Sequence, residues 1–119
     1  MKAVLLISHG SRSPKTKQEI ARLVKALKRK SKVPIFEFAF LEIERPSIPE
    51  GIRKCVDSGA REIRVLLNFL NSGRHVGEDI PKIVNEARLK YPSVKFRITP
   101  PIGQHPKIDE VFVELLRNE

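Results

Sequence analysis

Four short apolar runs recur along this chain, and each is followed by a polar stretch and then an amphipathic helical segment. No other feature limits the fold as strongly. Residues 3–7, Ala-Val-Leu-Leu-Ile, form a continuous apolar run, which reads as a strand buried on both faces. A second run follows Pro34, from Ile35 to Leu41, rich in phenylalanine. The third spans Ile63 to Leu67 and continues to Phe69-Leu70, and the fourth alternates from Val94 to Ile98. Strands that alternate with helices of about 10–15 residues imply a parallel sheet with right-handed crossovers. The expected fold is an α/β three-layer sandwich with a four-stranded parallel sheet in the order 2-1-3-4.

The helical segments carry their own start and stop signals. Ser13-Pro14 opens the first, with serine as N-cap and proline at the first helical position. Ile20, Leu23, Val24 and Leu27 then share one face. Ser47 and Glu50 have capping-box spacing, so a second helix begins near Ile48, with Gly59 as its C-cap. Ile48, Ile52, Cys55 and Val56 share a face there, which makes the single cysteine a small core residue. The third helix runs from about Glu78 to Lys90, with Ile80, Ile83, Val84 and Ala87 inward, and Tyr91-Pro92 ends it. A stiff loop, 100–106, leads to a last helix from about Lys107 carrying Ile108, Val111, Phe112 and Leu115.

At 119 residues the expectation is one domain, 1–119. No apolar stretch approaches the ~20 residues of a membrane span, and the first apolar run is too short for a signal-peptide core. A cytoplasmic location is expected, with no membrane partner. The formal net charge is +9, from 23 Lys and Arg against 14 Asp and Glu. That balance favours anionic partners: nucleic acid, an anionic surface, or a polyanionic small molecule. The densest basic cluster, Lys25 to Lys32, also suits the negative end of the first helix dipole.

Strands of a parallel sheet end on one edge, where open α/β sheets bind ligands. The four strands here are followed by His9, Glu42, His75 and His105. These are all the histidines of the chain, and each stands in a loop after a strand. Two neutral imidazoles and a carboxylate suit a first-row divalent metal, and serve equally in proton transfer. Each histidine alone also has a plain structural reading: His9 bracing a turn, His75 bonded to Asp79 at a helix start, His105 held between loop prolines. His105 is the weakest member of the set. GxGxxG, Walker and GxSxG patterns are absent. With one tyrosine and no tryptophan, the chain offers little stacking surface for single-stranded nucleic acid.

Ser8-His9-Gly10-Ser11-Arg12, Phe40-Leu41-Glu42, Phe69-Leu70-Asn71-Ser72-Gly73-Arg74-His75, Glu78-Asp79-Ile80-Pro81 and Gly103-Gln104-His105-Pro106 occur in one βα frame. Together they resemble the small class II tetrapyrrole chelatases, the short archaeal sirohydrochlorin cobaltochelatases of CbiX type. Leu67 stands where that pattern has proline. The resemblance covers essentially the whole chain and implies chelatase-like, flavodoxin-like βα repeats. It implies insertion of Co²⁺, or Ni²⁺, into sirohydrochlorin with release of two protons, in cobalamin or related tetrapyrrole biosynthesis; related members insert iron. It implies metal ligation by His9 and His75, with Glu42 assisting and His9 or Glu42 accepting protons. It places substrate contacts at Arg45 and at Leu70, Asn71, Ser72, Gly73 and Arg74. It implies no permanently bound cofactor, the divalent ion being a substrate, and a symmetric homodimer closing over one planar molecule. A polycarboxylate substrate accounts for the positive charge without nucleic acid. Two rival readings are a noncatalytic metal-delivery protein and a small basic nucleic-acid-binding domain.

Overall fold

The computed structural model describes residues 1–117. Its elements in chain order are β1 (Lys2–Ser8), α1 (Pro14–Ser31), β2 (Ile35–Phe40), α2 (Ile48–Asp57), β3 (Glu62–Leu67), α3 (Ile80–Lys90), β4 (Lys95–Pro101) and α4 (Ile108–Arg117). The four strands are parallel in the order β2-β1-β3-β4, as the sequence pattern requires.

Strand alternation divides the core in two. Ala3, Leu5 and Ile7 of β1 face one side, with Ile63, Val65 and Leu67 of β3, and meet α2 and α3 through Ile48, Ile52, Cys55, Ile80 and Val84. Val4 and Leu6 face the other side, with Phe36 and Phe40 of β2, and meet α1 through Ile20 and Val24. Cys55 is fully buried, and burial pushes its thiol up to about 12, so it is an inert core side chain. Among the described residues no helix is long and apolar enough to cross a membrane.

Several boundaries differ from the sequence expectations. β3 ends at Leu67: Phe69 packs partly on the core, but Leu70 is exposed, and neither continues the strand. β4 runs on through Pro100 and Pro101. It is an edge strand, where proline's missing donor costs no ladder bond on the open side. α2 does carry the full capping box, Ser47 Oγ accepting from the Glu50 N–H and Glu50 accepting from the Ser47 N–H. Its C-cap is Ser58, and Gly59 follows with φ +101°. Ser13 is the N-cap of α1 by position, but its side chain makes no capping bond. The helical path after β3 begins at His75, through a π-helical turn at His75–Asp79 that leads into α3. The apolar side of α4 meets no sheet: Val111, Phe112 and Leu115 are all more than half exposed.

Candidate metal centre

The pairing of β1 and β2 does not stop with the strands. The Leu41 N–H donates to Ser8 O at 2.9 Å and the Glu42 N–H to His9 O at 3.1 Å, so the two exit loops run on side by side. Gly10 makes this close approach feasible. It adopts φ +108°, and a Cβ there would lie 1.9 Å from Glu42 O. Ser11 N–H then donates to a Glu44 carboxylate oxygen at 2.8 Å, a second tie between the same loops. On the other flank Asn68 holds the loop of β3 to β1, its N–H donating to Ile7 O and its Nδ2 to Ser8 Oγ at 3.0 Å.

These ties set His9 Nε2 2.8 Å from Glu42 Oε1. The rings of His9 and His75 lie 5.3 Å apart and tilted by 53°. One ligand atom from each of His9, Glu42 and His75 falls within 4.8 Å of the others, close enough for one ion to bridge them. The three side chains are about half exposed.

His75 is held from behind, its Nδ1 2.8 Å from Asp79 Oδ2 one helical turn on. With Nδ1–H donating to that carboxylate, the lone pair sits on Nε2, the usual arrangement behind a metal-binding imidazole. The bond of His75 to Asp79 thus leaves its other ring nitrogen open as a candidate ligand atom. His9 Nδ1 lies 3.3 Å from Gly10 O.

The remaining expected site residues are not among the three cluster members. His105 is outside the cluster; its Nδ1 accepts from the Lys107 N–H at 3.0 Å, which braces the turn into α4. Arg45 is paired with the Glu50 carboxylate and highly exposed. That hydrogen bond, helped by the Ser47 N–H, pulls Glu50 down to about 2, and Arg45 is raised in return. Leu70, Asn71, Ser72, Gly73 and Arg74 form an exposed loop; Arg74 reaches Glu78 at 3.7 Å.

A cleft of about 680 Å³ opens between the exit loops and α1; Ser11 and Ile43 of those loops line it, whereas His9, Glu42 and His75 do not. Phe38, Ile43 and Ala21 give it an apolar lining, and Arg12 and Lys17 add cations. Arg45 and Leu70–Arg74 do not line it. Sequence reasoning missed this cleft, and with it Glu44 and Lys17; it also missed Asn68, which ties the loop of β3 to β1. The available signal was proximity in sequence: Arg12 and Glu44 each stand within three residues of a cluster member.

A family model described as CbiX matches residues 3–119. The chain belongs to the CbiX family. It is 38% identical over 112 residues to a sirohydrochlorin ferrochelatase of Bacillus subtilis, covering 94% of this chain and 41% of that protein. It is 36% identical over 84 residues to a sirohydrochlorin cobaltochelatase of Methanocaldococcus jannaschii, covering 71% of this chain and 59% of that protein. The crystal structure of the sirohydrochlorin chelatase SirB from Bacillus subtilis subspecies spizizenii in complex with cobalt superposes with a TM-score of 0.89 at 32% identity. That match covers 98% of this CbiX chain and 50% of the SirB chain. The chain thus spans about half the length of the relatives it matches.

Proposed function

We propose that this chain is a sirohydrochlorin chelatase that exchanges two pyrrole protons for a divalent metal. Co²⁺ is the proposed ion, with Ni²⁺ as a second substrate. The observation that carries the reading is the convergence of His9, Glu42 and His75 at the carboxyl edge of the sheet. Both the cobalt- and the iron-inserting relatives match at similar identity. Imidazole and carboxylate donors accept all three ions, so supply and substrate fit decide among them.

The chemistry needs a weak metal site beside a base. His75 offers Nε2 as a ligand, oriented by Asp79. The His9–Glu42 pair is the proton acceptor, its imidazole and carboxylate atoms 2.8 Å apart and open to solvent. Two ligands each about 2.1 Å from one ion stand about 3 Å apart when adjacent. An ion can therefore take the place of the shared proton with little movement of either side chain. His9 serves as ligand before transfer; as the ion moves to the macrocycle the freed imidazole takes one pyrrole proton and the Glu42 carboxylate the other, and both pass on to water.

The cleft between the exit loops and α1 suits the tetrapyrrole. Its apolar lining matches a planar ring, and Arg12 and Lys17 match peripheral carboxylates. The wider excess of positive charge adds long-range attraction to a polyanion. A homodimer completes the proposal: two copies of the rim stand in for the two halves of the longer relatives and close over one substrate.

Anaerobic mixing of the protein with sirohydrochlorin and Co²⁺, Ni²⁺ or Fe²⁺, followed by absorbance, tests the proposal. Insertion far above the spontaneous rate is expected, abolished by His9→Ala with the fold intact and given a higher KM by Arg12→Ala. Metal binding without acceleration, or a His9→Ala protein with near-normal rate, would sink it.

A further inference from the structure

Ile43 breaks two local rules at one position. Its backbone adopts φ +72°, in the left-handed region, and its side chain is 59% exposed. Positive φ in a β-branched residue is an outlier, and the bond across it, Glu44 N–H to Glu42 O at 2.8 Å, marks a strained three-residue turn. Among the described residues the other non-glycine position with positive φ is Lys32, the C-cap of α1, where a left-handed residue is ordinary. Glycine or asparagine would hold the turn at residue 43 with less strain, and a polar side chain would suit its exposure. Folding alone gives no reason for isoleucine there, and positions of this kind cluster at functional sites.

The surrounding bonds show what holds this turn in place. The Glu42 N–H donates to His9 O at 3.1 Å, and a Glu44 carboxylate oxygen accepts from the Ser11 N–H at 2.8 Å. Residues 42 and 44 are both tied to the loop after β1, and Ile43 stands between the two ties. It lines the cleft with Phe38 and Ala21, and it is the exposed large apolar side chain of that lining. Glu42 belongs to the cluster and does not line the cleft. Ile43 is therefore the step from one to the other, its Cα about 3.8 Å from that of Glu42.

We propose that Ile43 is a substrate contact: the strained turn fixes its side chain as an apolar lip of the cleft, and one face of the planar macrocycle rests on it, which brings the pyrrole nitrogens to the His9–Glu42 pair. The inference deepens the chelatase reading and rests on it. An exposed isoleucine loses its contact with water only when a ligand covers it, so the favourable burial is reserved for the bound state. The side chain is stiff at χ1 and its backbone is tied on both sides, so little freedom remains to be lost when the macrocycle arrives.

Anaerobic Co²⁺ insertion into sirohydrochlorin, with KM and kcat separated, tests the contact, and fluorescence titration of metal-free sirohydrochlorin gives a Kd without turnover. Ile43→Asn keeps a residue that tolerates positive φ and removes the apolar surface. It should raise both KM and Kd for sirohydrochlorin about tenfold, the value of roughly 60 Å² of apolar contact. The affinity of the protein alone for Co²⁺ and the Tm should stay at their wild-type values. Ile43→Leu, which restores an apolar side chain, should bring KM back close to wild type. Ile43→Gly should melt no lower than wild type, because relief of the strained φ offsets the freer unfolded chain. An Ile43→Asn protein with wild-type KM and Kd, or one that loses Co²⁺ affinity instead, would overturn the contact and leave Ile43 a turn residue only. A sharp fall in Tm for Ile43→Gly would do the same, by showing that the side chain serves the packing of the fold. A wild-type chain that neither binds nor metallates sirohydrochlorin sinks the proposed function and this contact with it. A wild type that does both, beside an unchanged Ile43→Asn, sinks the contact alone.

Discussion

Gly10→Ala should damage both the fold and the proposed metal centre, because the two share one contact. The added Cβ would lie 1.9 Å from Glu42 O, and side chains do not approach backbone atoms closer than 3.0 Å. The loop after β2 must therefore retreat by at least about 1.1 Å, breaking the Glu42 N–H bond to His9 O. Alanine at φ +108° adds backbone strain. Together these terms cost about 2–4 kcal/mol, or a fall of about 10 °C or more in Tm for a domain of this size. The retreat also separates His9 from Glu42. Misplacement by about 1 Å costs a catalytic pair on the order of 100-fold in rate. Thermal melting and anaerobic Co²⁺ insertion, measured on the same preparations, give the two numbers. Gly77→Ala is the control, since a Cβ there meets nothing within 4 Å and its φ is not positive; it should melt at or slightly above the wild-type temperature. A Gly10→Ala protein with wild-type Tm and insertion rate would refute the claim that loop clearance at Gly10 sets the His9–Glu42 geometry.

Asp79→Asn should lower Co²⁺ affinity about 10- to 100-fold by loosening the His75 ring; calorimetric titration checks it, and unchanged affinity would remove His75 as an oriented ligand. Glu50 is held down to about 2 by the Arg45 hydrogen bond, so its contribution to stability is present above the ordinary carboxylate range and is lost as pH falls from about 4.5 toward 2. Glu50→Gln should accordingly flatten that part of the acid-stability profile, read as urea midpoints, and an unchanged slope would show the pair to be inert in solution.

Much of the fold was legible because the dominant forces are written in the spacing of apolar residues. Ala3 to Ile7 demand burial on both faces, and a chain of such runs alternating with helices has few arrangements open to it. The convergence of His9, Glu42 and His75 was legible for a topological reason: parallel strands share an edge, so the residues after them meet near one rim. What sequence could not resolve was pairing between close alternatives. Arg45 faces both Glu50 and solvent, and the nearer carboxylate takes it. His105 has the same strand-end position as His9, but the Lys107 N–H occupies its Nδ1. Pro100 and Pro101 look like loop residues until β4 is known to be an edge strand. Most of all, amphipathicity shows that α4 must bury Val111, Phe112 and Leu115, but carries no address for the surface that buries them.

The half-exposure of His9, Glu42 and His75 bears on how long an ion would stay in the proposed metal centre. Enzymes of ordinary speed turn over about ten times per second, so a metal being given away can dwell for only about 0.1 s per cycle. Closed four-ligand zinc sites, held by about 10–16 kcal/mol, release their ion far more slowly than that. Under the proposed function, an open rim of three donors would exchange ligands stepwise and let the incoming pyrrole nitrogens reach the ion as it leaves. The same openness lets competing ions enter as freely as the intended one. Fidelity in such a centre is then a matter of which ion departs into the macrocycle faster, a kinetic sieve instead of a tight fit.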